Sequence, residues 1–327
     1  MPNIVTAFIR EAERHPDRQA LIIPHHQQPL AHCPATEVLT YAELVTRAAG
    51  YADFLRAEGV GVGDRVLLLM PVCADLYAAV TAIYSVGAAA VLIDPGMGIQ
   101  RVRLSLQSAK PKAMVSTARF LRFRFLLPEL WKIPIKLSLN SSGWGIQKLL
   151  SRDVKELSPI ERGDTDPALI TFTSGSTGKP KGSNRHHGFL WAQHCALKRA
   201  YPPFIDQIDM TCFPVVVFHN LLCGVTSVLP DCDLSRPALV NAGRVLEQIN
   251  NRHVSSLSAA PAFWTALLAK EQSLESVRLA GVGGAPVSAE LQQAMFQYLP
   301  NAKCFVVYGS TEAEPIAHHH IQANGLH

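Results

Sequence analysis

Residues 171–182 carry the most chemistry in the chain: Thr171-Phe172-Thr173-Ser174-Gly175-Ser176-Thr177-Gly178-Lys179-Pro180-Lys181-Gly182. Hydroxyls and glycines here offer backbone N–H and side-chain O–H donors to one anion, and two lysines add charge that can follow a moving phosphate. Glycine lets the main chain approach closely, because no side chain stands in the way. The segment is a phosphate cradle but not a Walker A loop, which needs Gly, four residues, then Gly-Lys-Ser/Thr; Pro180 breaks that spacing after Gly175. A dinucleotide fingerprint fails as well. Gly59, Gly61 and Gly63 have the wrong spacing and follow a helix, and Gly281, Gly283 and Gly284 do not fit either. A mobile surface loop is the competing reading of this composition. The place between a buried strand at 168–173 and a helix opening at His187 argues for the cradle.

From Thr173 to Gly182 the segment resembles, nearly residue for residue, the signature loop of the adenylate-forming superfamily of acyl-CoA synthetases, luciferases and peptide-synthetase adenylation domains. The resemblance implies that Thr173, Ser174, Gly175, Ser176, Thr177, Gly178, Lys179, Lys181 and Gly182 grip the β- and γ-phosphates of ATP. Three further segments stand in the family's order. Val282-Gly283-Gly284-Ala285-Pro286-Val287 is similar to the family's adenine-packing turn, which implies that Gly283, Gly284, Ala285 and Pro286 lay main chain against the base. Taken alone it also reads as an ordinary strand-to-helix turn. Val307-Tyr308-Gly309-Ser310-Thr311-Glu312 resembles the Tyr-Gly-x-Thr-Glu motif. That implies Tyr308 and Gly309 on adenine, Thr311 at the α-phosphate and Glu312 as the Mg²⁺ ligand, a sensible role because a hard cation bridging phosphate oxygens needs a carboxylate. The run Phe213-Pro214-Val215 through Phe218-His219-Asn220 implies His219 near the acyl carboxylate, although a lone His in an apolar run reads equally as a hydrogen-bonded core residue. Within the superfamily, Gly182-Ser183-Asn184-Arg185-His186-His187-Gly188-Phe189 resembles the long-chain fatty-acyl ligases, a branch that includes the β-lactone synthetases of olefin biosynthesis. Those enzymes adenylate a β-hydroxy acid whose hydroxyl closes on the activated carbonyl in place of CoA.

The elements that must position these residues alternate. Helices are expected at 4–15, 41–58, 75–86, 99–109, 187–199, 242–252, 262–269 and 289–298. Strands are expected at 20–23, 65–70, 89–93, 113–116, 168–173, 208–213, 225–229, 255–258, 276–282 and 304–307. Thr40-Tyr41-Ala42-Glu43 forms a capping box, and Gly59 stands where a helix-ending glycine belongs. Helices alternating with continuous apolar strands give an α/β fold of mostly parallel sheets sandwiched by helices, as in the large N-terminal domain of an adenylate-forming enzyme. The expected division is 1–167 as a first αβ subdomain, 168–315 as a second bearing the ATP phosphate loop, and 316–327 as a short His-rich tail. That tail reads as a frayed end, with adventitious metal capture as the sharper alternative. In the family a ribose-binding Asp, a hinge and a small C-terminal domain with a catalytic Lys follow. The C-terminal domain is therefore expected to be absent here, or supplied as a separate partner.

The chain has 327 residues, 48% apolar and 17% charged, enough to bury a sizeable core; its formal net charge of +4 does not mark a nucleic-acid binder. Cysteines 33, 73, 195, 212, 223, 232 and 304 form no CxxC pair and no Cys/His spacing of a zinc site, which points to reduced cytoplasmic thiols. The N-terminus lacks the apolar core of a signal peptide, and the uncharged stretches 76–93 and 210–230 suit buried α/β elements better than lipid. Residues 118–136 mix Arg119, Arg122, Arg124, Lys132 and Lys136 with Phe120, Phe123, Phe125 and Trp131. This is either a solvated basic face or a peripheral contact with a membrane surface or acyl chain. The partners expected are ATP with Mg²⁺, a long-chain or β-hydroxy fatty carboxylate, and CoA as one acceptor. A nucleotide- or acyl-binding module without turnover and an inactive reading frame are the alternatives.

Overall fold

The computed structural model describes residues 3–24, 36–121, 125–139, 142, 146–149, 154, 156–173, 180–234, 236–310 and 313–321. In chain order its first half runs α1 (Val5–Arg14), β1 (Gln19–Pro24), β2 (Thr36–Thr40), α2 (Tyr41–Ala57), β3 (Arg65–Leu69), α3 (Ala74–Ser85), β4 (Ala89–Ile93), α4 (Ile99–Ala109), β5 (Ala113–Ser116), α5 (Ala118–Leu121), β6 (Ile135–Ser138) and β7 (Gln147–Lys148). The second half runs β8 (Pro167–Thr173), β9 (Lys181–His186), α6 (His187–Ala200), β10 (Ile208–Thr211), α7 (Pro214–Leu221), β11 (Thr226–Val228), α8 (Ala242–Asn251), β12 (Ser256–Ala259), α9 (Pro261–Leu268), β13 (Leu279–Gly283), α10 (Ala289–Tyr298), β14 (Lys303–Ser310) and β15 (Ala313–His320).

Two compact units are present, each with its own sheet. The first comprises the described residues within Met1–Pro16 and Tyr41–Ala192; the second those within Asp17–Gln28, His32–Thr40 and Gln193–His327. The expected boundary at 167/168 therefore differs from the division the packing makes. The reason is strand pairing: β8 lies parallel to β4, and β9 pairs with β8. Conversely β1 runs parallel to β11, which draws the β1–β2 hairpin into the second unit.

The first unit's sheet has the order β7-β6-β5-β3-β4-β8-β9, parallel except for β9. Its inner strands are continuous apolar runs such as Val66-Leu67-Leu68 and Ala89-Ala90-Val91, as a sheet covered on both faces requires. α1 is anchored by Asn3, whose Oδ1 accepts from Val5 N at 3.2 Å while its Nδ2 donates to Tyr84 O at 2.5 Å and Ile160 O at 3.1 Å. α2 ends as expected, with Gly59 at φ +79°. Strands β6 and β7 appear within 135–148, where the basic and aromatic excursion carried no expected strand.

The second unit's sheet has the order β15-β14-β13-β12-β10-β11-β1-β2, parallel except for its two outer strands. Its core joins β12 and β13 to α8, α9 and α10 through Val245, Ile249, Trp264, Leu267 and Met295, all at most 1% exposed. Trp264 Nε1 donates to Gly281 O at 2.9 Å, so the largest buried ring also meets its polar need. Helices α8 and α10 open on Asn241 and Ser288, whose side chains accept from Arg244 N and Leu291 N.

Two expectations are corrected. The segment expected as the phosphate loop joins two antiparallel strands: β9, which has no expected counterpart, fills 181–186 ahead of α6, which opens at His187 as expected. The Lys181-Gly182-Ser183-Asn184-Arg185-His186 run has no apolar alternation, yet it pairs through its backbone, with Gly182 opposite Phe172 and Thr173 opposite Lys181. Second, the His-rich segment is not frayed through His320. Residues 313–320 form β15, an antiparallel edge strand on β14, and the His320 ring stands 4.2 Å from that of Phe305.

Candidate active site

The second unit holds a cavity of about 160 Å³ between α6, α7 and strands β10, β12, β13 and β14. Most of its wall is apolar, with Leu197, Val215, Val216, Leu257, Val282 and Phe305 facing in. α7 has no counterpart among the expected elements, since the run Val215-Val216-Val217-Phe218 carries no helical period. Pro214 starts it at a first-turn position, where a proline costs no hydrogen bond.

Polar groups enter the wall at few points. His219 and Asn220 come from α7, Asp209 from β10, and Gln193 from α6. The Asp209 side chain is 4% exposed and accepts from Ser256 Oγ at 2.5 Å and Asn220 Nδ2 at 2.8 Å. Asn220 Nδ2 also donates to Ser227 Oγ at 2.9 Å, and Gln207 Nε2 donates to Ser256 Oγ at 2.9 Å. Burial pushes the Asp209 carboxyl up to about 6, against the pull of its two hydrogen bonds. Gln193 is 7% exposed, and its Nε2 has no hydrogen-bond partner among the described residues. A donor so placed at a cavity wall suits an acceptor oxygen on a ligand.

His219 is 9% exposed and does not stand alone. Its Nδ1 lies 3.1 Å from His194 Nδ1, and its Nε2 lies 3.6 Å from Cys223 Sγ. Desolvation holds His194 near 4 and His219 near 3, so both imidazoles are neutral at neutral pH. The sequence shows no Cys/His spacing of a zinc site, yet folding gathers these three. The signal within reach was the four-residue spacing of His219 and Cys223; His194 joins only through packing of α6 beside α7.

The glycine segment has a structural reason. A Cβ on Gly283 would stand 2.5 Å from Val307 O, because β13 pairs with β14 at that residue. Gly284 has φ +84°, the left-handed region that favours glycine. Gly283, Gly284 and Gly309 border the cavity, whereas Ala285 and Pro286 are exposed beyond it. Tyr308 is 67% exposed and lies opposite Ala317 of β15. In the first unit Thr173 and Lys181 are register partners at the ends of the segment expected as the phosphate loop, and Gly182 lies against the Phe172 ring. Ser174, Gly175, Ser176, Thr177, Gly178, Lys179, Thr311 and Glu312 lie outside the described residues.

The run at 184–189 serves packing. Arg185 and His187 are 6% and 1% exposed, and His187 Nδ1 accepts from Ile4 N at 3.4 Å. A Cβ on Gly188 would meet Asp164 at 2.9 Å.

The profile of the AMP-binding enzyme family matches residues 8–326. The chain belongs to that family. Among curated relatives it is 30% identical over 324 residues to olefin β-lactone synthetase of Xanthomonas campestris pv. campestris, and 29% identical over 327 residues to that of Stenotrophomonas maltophilia. The alignments cover 96% of this chain and 58% of each relative, so the chain spans little more than half their length. The fold matches that of the luciferase-like enzyme of the mealworm Zophobas morio, with TM-score 0.81, 19% identity, and coverage of 98% of this chain and 75% of that one. It also matches o-succinylbenzoate coenzyme A synthetase of Bacillus subtilis in complex with AMP, with TM-score 0.77, 21% identity, and coverage of 98% and 61%. The expected α/β architecture of an adenylate-forming N-terminal domain thus stands. Among the described residues no helix is long and apolar enough to cross a membrane.

Proposed function

We propose that this chain is the nucleotide- and acid-binding portion of an enzyme that converts a fatty carboxylate and ATP to an acyl-adenylate and pyrophosphate. One carboxylate oxygen attacks the α-phosphorus, the bond from that phosphorus to the bridging oxygen breaks, and pyrophosphate leaves. The observation that carries this reading is the apolar cavity bordered by the Gly283–Gly284 main chain, His219 and the unpartnered Gln193 amide. In this reading His219 and Gln193 meet the carboxylate, and Gly283, Gly284, Ala285, Pro286, Tyr308 and Gly309 hold the adenine. Thr173 to Gly182 hold the β- and γ-phosphates, Thr311 touches the α-phosphate, and Glu312 binds Mg²⁺. Catalysis then rests on positioning and on electrostatic clamping of the phosphates.

The cavity is about the size of one known to take a benzene ring, so its enclosed part holds on the order of six carbons. A longer chain has to extend beyond it. The relatives' name favours a β-hydroxy acid whose own hydroxyl is the acceptor, with CoA as the other acceptor.

Exchange of labelled pyrophosphate into ATP, measured with fatty and β-hydroxy fatty acids of graded length, tests the reading. Exchange that depends on the acid is expected once a C-terminal domain from a relative is supplied. No exchange with any acid under that condition overturns it. Calorimetric ATP binding without exchange reduces the chain to a binding module.

A further inference from the structure

We infer that His194, His219 and Cys223 form a site for one soft or borderline divalent cation, of which Zn²⁺ is the reference, on the inner side of α6 and α7. Each residue offers one ligand atom, and with one nitrogen taken from each imidazole the three atoms lie within 4.8 Å of one another. In a tetrahedral zinc centre, with Zn–N about 2.0–2.1 Å and Zn–S about 2.3 Å, ligand atoms stand roughly 3.3–3.7 Å apart. His219 turns a different nitrogen to each neighbour, Nδ1 at 3.1 Å from His194 Nδ1 and Nε2 at 3.6 Å from Cys223 Sγ, so an ion takes one of the two and the ring turns to meet it. Closure on one ion then needs the widest pair to approach by about 1 Å, within reach of side-chain rotation.

The donor set decides the metal class. Two imidazoles and a thiolate select Zn²⁺ and its neighbours, whereas Mg²⁺ prefers oxygen ligands and retained water. The site is therefore distinct in chemistry from the Mg²⁺ role carried by Glu312. It is buried, with His194 5% and His219 9% exposed, so an ion there is shielded from bulk water. Without metal the three side chains form a hydrogen-bonded chain, which accounts for both nitrogens of His219 and for Nδ1 of His194. Binding replaces the thiol proton with the cation, so the proton is released to solvent and no redox partner is needed. Because His219 also borders the cavity, an occupied site withdraws its imidazole from any carboxylate there. The cation would then act on acid binding.

The test uses the full chain after chelator treatment. Titration with Zn²⁺ by calorimetry is expected to give one site per chain that Mg²⁺ does not fill. Titration with Co²⁺ is expected to give the intense visible bands of a four-coordinate ion and a thiolate-to-cobalt charge-transfer band. Cys223→Ser should abolish the charge-transfer band, and His194→Gln should weaken Zn²⁺ binding at least tenfold. The control replaces His318, His319 and His320 by Ala, since these lie exposed on β15 and can capture metal adventitiously. Retention of the site in that control supports the assignment. Loss of binding in the control with retention in Cys223→Ser and His194→Gln overturns it, as does a Co²⁺ spectrum without thiolate character in the unaltered chain. ATP plays no part in these measurements, so their failure leaves the proposed acid activation untouched.

Discussion

Asp209 should make the second unit less stable as pH rises, and Asp209→Asn should remove that effect. The carboxyl is buried on β10, with two donors in place, and desolvation raises it from 3.8 to about 6. In the folded state it therefore holds its proton at pH values where the unfolded chain has lost it. The sign follows from that difference: below about 3.8 both states are protonated and Asp209 costs nothing. Between about 3.8 and 6 the unfolded state alone ionises, and stability falls as pH rises. Above 6 the penalty is complete. A rise of this size is worth about 3 kcal/mol, an upper figure because burial sites relax. Asn keeps an oxygen for one donor and its amide can donate to Ser256 Oγ, so one hydrogen bond of about 1 kcal/mol is the most it should lose. Urea unfolding of both proteins at intervals from pH 4 to 7 reads the result. The variant-minus-parent difference should shift by about 2–3 kcal/mol in the variant's favour across that range. His187, His194 and His219 titrate in the opposite sense, but they are common to both proteins and cancel. Parallel curves, within about 0.5 kcal/mol, would refute the claim that Asp209 is buried as an ionisable group.

Gly283→Ala should cost about 1–3 kcal/mol, since its Cβ would meet Val307 O at 2.5 Å, whereas Gly281→Ala meets only Ser258 at 3.4 Å and should be near neutral. Equal unfolding midpoints for the two would count against the strand contact. Lys181→Ala should weaken ATP binding about tenfold or more by calorimetry, the scale of one hydrogen bond to a charged group; unchanged affinity removes Lys181 from the phosphate site. Burial lowers His187 to about 4, so folding opposes its protonation, and stability should fall as pH drops below about 6.5. His187→Gln should flatten that acid limb of the unfolding curve, and an unaltered limb would exclude it as the cause.

Legibility in the sequence followed what holds each element. β4, α4, β5 and α10 match their expected bounds because they are buried apolar runs or amphipathic helices with clear ends. β9 and β15 were not legible. Lys181–His186 is polar throughout, Ala313–His320 carries a proline and three histidines, and both sit at sheet edges where backbone pairing suffices. Of the site, Gly283, Gly284 and His219 were named from motif likeness, and two glycines now have a steric reason. Gln193, Asp209 and the His194–Cys223 neighbours of His219 were hidden. Each is polar for a contact with a residue remote in sequence, which no local period encodes.

The position of β15 makes the His-rich segment part of the support for Tyr308 and Gly309. Ile321 N donates to Cys304 O at 2.9 Å, and pairing then steps through Val306 with His319 to Tyr308 with Ala317. In an antiparallel ladder hydrogen-bonded pairs alternate, so Ala317 N–H faces the Tyr308 carbonyl while His318 N–H faces away from β14. A proline at 317 deletes that bond and leaves a carbonyl unpaired, at about 1–3 kcal/mol, whereas a proline at 318 removes no ladder bond. His318 does lose its ring contacts with Tyr201 and Phe305 when replaced, so the second variant controls for side-chain loss. If β15 holds Tyr308 and Gly309 in place at the cavity, Ala317→Pro should weaken AMP binding several-fold more than His318→Pro at matched temperature below both unfolding midpoints. Equal affinities would mean that β14 orders those residues through β13 alone, and that the outer strand only covers an edge.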